Sequence, residues 1–120
     1  MASAGKDRGK PLEQGLEVLY RDDALLAVAK PSGLAVHRGW ATDRVTAVSL
    51  AARQTGRQVL AAHRLDRGTS GVLLLAFSSE AARELGAAHE AGTIEKRYLA
   101  LVRGPAPEHL VLDHPIPRKP

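Results

Sequence analysis

The chain predicts an α+β fold: a mixed, mainly antiparallel sheet with flanking helices. Three observations carry this reading. Apolar runs of strand length stand at 16–20, 24–29, 59–62 and 72–77. Two segments, ending near Thr55 and Gly92, combine helical spacing with capping residues. Strands and helices also do not alternate strictly, which argues against a parallel α/β sheet.

Taken in order, residues 1–15 are expected to be a flexible basic leader, since Lys6, Arg8 and Lys10 stand among glycines without an apolar period. Residues 16–120 form the remaining unit. The turn chemistry of Arg21-Asp22-Asp23 between the first two apolar runs predicts a hairpin. Lys30-Pro31-Ser32-Gly33 then breaks the second strand, because proline has no N–H and glycine accepts positive φ. Asp43 or Thr46 caps a helix running to Thr55, with Gly56 as its stop and Val45, Val48 and Ala52 on its buried face. The run 72–77 is almost wholly apolar, so it belongs in the middle of the sheet with both faces covered. Ser78 or Ser79 caps the next helix, whose inner stripe is Ala81, Leu85 and Ala88. Residues 93–102 alternate as a strand, and 110–112 read as a further short one.

Composition narrows the function. At 120 residues the chain suits one small domain, and an apolar fraction of 44% supports a globular one. Its four aromatics, Tyr20, Trp40, Phe77 and Tyr98, leave the core to Leu, Val and Ala. With no cysteine, disulfides, thiolate metal sites and cysteine nucleophiles are excluded. No apolar stretch reaches membrane-span length, and the N-terminal residues lack a signal-peptide core, so a cytoplasmic protein is expected. The net charge of +4 favours a polyanionic partner, most simply nucleic acid.

Several chemistries fail on spacing. There is no phosphate-loop or dinucleotide-binding motif. His89-Glu90 opens like a zinc-protease motif, but Thr93 stands where the second histidine is needed. Gly68-Thr69-Ser70-Gly71 lacks the glycine two residues beyond its serine that a nucleophile elbow requires.

The segment His63-Arg64-Leu65-Asp66-Arg67-Gly68-Thr69-Ser70-Gly71 is different. It sets one carboxylate between two guanidinium groups in a polar loop bracketed by apolar runs. Opposite charges favour the ionised acid. Kept ionised, it can serve as nucleophile or base. The chemistry alone leaves a second reading open, an Asp–Arg pair that merely staples its own turn.

The longer text of this loop resembles the signature of RluA-type pseudouridine synthases. Residues 29–37, Ala-Lys-Pro-Ser-Gly-Leu-Ala-Val-His, are similar to that family's first motif, and 96–104, Lys-Arg-Tyr-Leu-Ala-Leu-Val-Arg-Gly, resemble its third. The texture of 36–40 and 78–81 further resembles a tRNA-modifying branch of the family. The resemblance implies an isomerase that converts a uridine in RNA, tRNA more than rRNA, to pseudouridine without a cofactor. It also implies Asp66 as the catalytic carboxylate, Arg64 as the residue that displaces the target base, and Tyr98 as the ring packing on the flipped uracil. His63 and Arg67 are implied as loop organisers or phosphate contacts. Lys10, Arg38 and Arg103 are candidate phosphate contacts by charge alone, while Lys30 and Lys96 read as solvated edge charges. Family catalytic domains are longer, and their later arginine-supplying motif has no counterpart before Pro120. The expectation is therefore an N-terminal portion of a catalytic domain, with weak or no activity alone. Self-association, or pairing with a complementary C-terminal fragment, would cover its bare apolar face. A non-catalytic RNA-binding or assembly fragment is the alternative.

Overall fold

The computed structural model describes residues 15–38 and 45–117. Residues 1–14 of the expected leader, Trp40 and Asp43 lie outside them. Six elements follow in order: β1 (Glu17–Arg21), β2 (Leu25–Lys30), α1 (Ala47–Thr55), β3 (Leu60–Ala61), β4 (Gly71–Ala76) and α2 (Ser79–Glu90). The strands form one antiparallel sheet in the order β1-β2-β4-β3. The α+β expectation holds.

The hairpin β1–β2 turns on Asp22, whose Oδ1 accepts from the N–H groups of Ala24 and Leu25, both at 2.8 Å. Those bonds hold its carboxyl below the usual range, Leu25 contributing most, with Tyr20 donating its hydroxyl proton to Oδ2 at 2.8 Å. A register slip between Val18 and Tyr20 marks a bulge in β1.

β2 and β4 pair along their whole length, Leu26 opposite Leu75 and Val28 opposite Leu73. Alternation puts Leu26, Val28, Leu73 and Leu75 on one face, and all four are essentially solvent-free. α1 covers that face. Its buried residues are Ala47, Leu50 and Ala51, joined by half-buried Val48 and Ala52. The expected stripe was displaced: Val45 precedes the helix and stays exposed, and the seam follows the 47/50/51 spacing instead. Thr46 is the cap, in a reciprocal capping box with Ser49, and Gly56 closes the helix at φ 68°. Two more of the helix's orphan amides, on Ala47 and Val48, donate to the carbonyls of Ala35 and Val36 at 2.9 and 3.0 Å. Gln54 anchors the other end of α1 by bonding both the N–H and the carbonyl of Leu16.

The opposite face is thinner. α2, capped by Ser78, packs against β3 and β4 without a single fully buried residue. β4 is therefore central, as its composition predicted, yet covered unequally: Leu73 is sealed, Val72 is exposed and Leu74 half-buried.

Two expected strands are absent. Residues 93–102 and 110–112 adopt no regular structure among the described residues. An alternating pattern supplies two faces, but a strand also needs a neighbour to satisfy its backbone N–H and C=O groups. Among the described residues no strand pairs with either segment, and Leu99 and Leu101 stand fully exposed.

Candidate functional site

The polar loop between β3 and β4 is held by its own alternation. Leu65 points into the core at 7% exposure, while Arg64, Asp66 and Arg67 face solvent. A hydrogen bond from the Thr69 N–H to the Asp66 carbonyl, 2.9 Å, closes a turn at the loop tip. Gly71 then enters β4 at φ 140°, a backbone region glycine tolerates.

The turn after β2 grips this loop. The Gly33 N–H donates to the Arg67 carbonyl at 2.7 Å, and the Ser32 hydroxyl donates to the Gly68 carbonyl at 2.8 Å. Beneath both lies Lys30, 1% exposed. Its three ammonium protons meet three carbonyls: Leu34 at 2.6 Å, Pro31 at 2.9 Å and Arg67 at 3.1 Å. Each donor of a buried cation is thus satisfied, the condition for tolerating it there. Desolvation, then the charge of Arg67, pushes its pKa below the ordinary lysine value, while Asp66 pulls the other way.

Lys30 is thus no solvated edge charge. The alternation of β2 held the signal, since Leu26, Val28 and Lys30 fall on one face and the first two are apolar.

Asp66 does not make the staple that its neighbours left open. Among the described residues its carboxylate forms no ion pair with Arg64 or Arg67. It is exposed at the loop tip, and the loop is braced through the backbone and Lys30 rather than through an Asp–Arg staple.

A groove of about 840 Å³ opens beside the loop. His63, Thr69, Ser70 and Gly71 of the loop line it together with His89, Lys96 and Tyr98. The structure therefore brings His63 and Tyr98 to one groove, with Leu65 and Gly68 flanking the acid along its edge. Arg64, Asp66 and Arg67 do not line it; they project outside. Tyr98 is 62% exposed and is not the core tyrosine that an alternating strand would bury.

His63 does two things. Its Nε2 accepts from the Leu74 N–H at 3.0 Å, continuing the β3–β4 ladder where the two-residue β3 ends. Its ring stacks on His89, with centroids 5.7 Å apart and planes 17° apart. Desolvation, followed by the charges of His89 and Lys96, pushes its pKa down, partly offset by a backbone bond at Arg64. Sequence reasoning passed over His89 once the zinc motif failed. Its place four residues after Leu85, on the inner stripe of α2, was the available clue. Among the described residues no cluster of three or more His, Asp or Glu could hold a metal ion. No described helix is long and apolar enough to cross a membrane.

Comparison with known proteins places the chain in a family. The family described as RNA pseudouridylate synthase matches residues 24–119. tRNA pseudouridine synthase C of Salmonella typhimurium is 48% identical over 103 residues, covering 84% of this chain and 40% of that protein. The protein of the same name from Haemophilus ducreyi is 46% identical over 103 residues, covering 84% and 42%. Among solved structures, human RNA Pseudouridylate Synthase Domain Containing 4 superposes with a TM-score of 0.53 at 27% identity, covering 74% of this chain and 34% of that one. The chain thus spans about 40% of the length of the curated relatives it matches. The match across 24–119, the identity to the relatives and the shared fold converge, and the chain belongs to the RNA pseudouridylate synthase family.

Proposed function

We propose that this chain carries the catalytic loop of an enzyme that isomerises a uridine in tRNA to pseudouridine. Asp66 is the catalytic carboxylate. The observation that carries the reading is its situation: an exposed acid, free of ion pairs among the described residues, on a loop braced from beneath by Lys30.

In the reaction the glycosidic C–N bond breaks, the uracil turns and a C–C bond forms to the same ribose. The proton displaced from that carbon is lost and the freed ring nitrogen gains one, so product and substrate are isomers. Nothing is added from solvent, so one carboxylate suffices, whereas glycoside hydrolysis needs a second to activate water. The base must leave its stack to reach Asp66. Tyr98, on the groove rim, is the ring assigned to the flipped uracil, and stacking there offsets part of an unstacking cost of a few kcal/mol. Arg64, exposed beside the acid, is assigned to fill the vacated place in the stack. His63 and Arg67 organise the loop and contact the strand. The cytoplasm is the proposed location.

A chimera tests this reading. In it, the chain replaces the matching 103 residues of the Salmonella relative, so that a full-length enzyme surrounds the loop. The chimera is expected to form pseudouridine in tRNA, detected by chemical labelling. Asp66→Ala is expected to abolish turnover while changing RNA affinity less than about twofold, because the acid contributes no phosphate contact. Turnover that survives the substitution overturns the assignment.

A further inference from the structure

His89 and Lys96 stand on the same groove and have no part in that chemistry. We propose that they form a phosphate-binding subsite on the groove rim, taking one phosphodiester of the RNA strand beside the nucleotide on which Asp66 acts. The proposal rests on the RNA reading above and adds a ligand group and two residues to it.

The geometry is that of two bases converging on one point. Lys96 Nζ lies 3.2 Å from His89 Nε2. An ammonium has only donors, so it donates and the imidazole accepts. A phosphodiester arriving there draws on the remaining ammonium donors. It also favours a proton on Nε2, which turns the histidine from acceptor to second donor. His89 lies in the last turn of α2, where the carbonyl end of the helix favours a cation.

The surroundings leave the anion little competition. Glu95, the carboxylate on this rim, is held by Arg97 Nε and Nη2 at 3.1 and 2.9 Å. His63, facing His89 from the loop after β3, is the uncharged support: its Nε2 is taken by the Leu74 N–H, and burial disfavours its protonation. Glu90 follows His89 on α2 and is exposed. Thr69 and Ser70, set between Gly68 and Gly71, line the same groove.

A phosphodiester that draws a proton onto Nε2 makes pH-dependent RNA binding the signature. The test is fluorescence anisotropy of a labelled uridine-containing RNA hairpin with the intact chain, at pH 6 and 8 over a salt series. Wild-type binding is expected to tighten several-fold from pH 8 to pH 6, because the bound state takes up a proton. Lys96→Met is expected to weaken binding about fivefold at both pH values and to lower the salt slope by about one. His89→Gln is expected to bind as wild type at pH 8 and to lose the tightening at pH 6. Lys96 is exposed, so its substitution leaves the fold alone; thermal melts check the half-buried His89 variant. Variants that both keep wild-type affinity, slope and pH response overturn the subsite alone. A wild-type chain that binds no RNA overturns the subsite and the RNA reading together. Turnover by the Asp66→Ala chimera touches the catalytic assignment only.

Discussion

A lysine sealed from water must find a partner for every donor, and Lys30 finds three carbonyls on two different turns. That makes one side chain the joint between the strand end and the loop presenting Asp66. Lys30→Met keeps the aliphatic stem but strands the Leu34 and Arg67 carbonyls. The expected cost is about 2 kcal/mol in urea unfolding, the scale of buried polar groups left unpaired. Amide exchange should show it locally, with protection falling at Gly33 and Thr69 ahead of the sheet. Unchanged stability and protection would mean that the clamp is dispensable. Asp66 teaches the converse: adjacency in sequence to two arginines left an ion pair open, but among the described residues its carboxylate forms none.

Helices were legible as elements because each carries its own start and stop. Thr46 with Ser49, Gly56 beyond Thr55, and Ser78 ahead of Ala81 act within a few residues, so their chemistry is local. Thr46→Ala is expected to cost about 1 kcal/mol, read as a lowered midpoint in thermal circular dichroism. No loss would mean that the carbonyls of Ala35 and Val36 cap the helix without it. Strands depend on neighbours instead. The runs at 25–30 and 71–76 found each other, whereas 93–102 has the same alternation and no ladder.

Across the whole molecule, burial is lopsided. The α1 face of the sheet holds the core, the α2 face is only half covered, and residues 95–117 are exposed throughout. Leu99, Leu101 and Ile116 lie almost wholly in solvent, and Leu110, Val111 and Leu112 are exposed as well. Such a run invites association. Leu99→Ser with Leu101→Ser is therefore expected to leave unfolding stability within about 0.5 kcal/mol, as for exposed sites. The same pair should shift sedimentation toward monomer. A stability loss well beyond that would show that the segment packs in solution.

Local chemistry in the sequence determined both helices, the hairpin, the central place of β4 and the loop bearing Asp66, because caps, turns and alternation act over a few residues. Motif text determined the family. Only the tertiary structure decided that Lys30 lies beneath the loop, that Asp66 escapes its arginines, that His63 meets His89 and that residues 93–102 remain unpaired. Each of those depends on which distant segments meet, and a pattern along one segment holds no record of its neighbours.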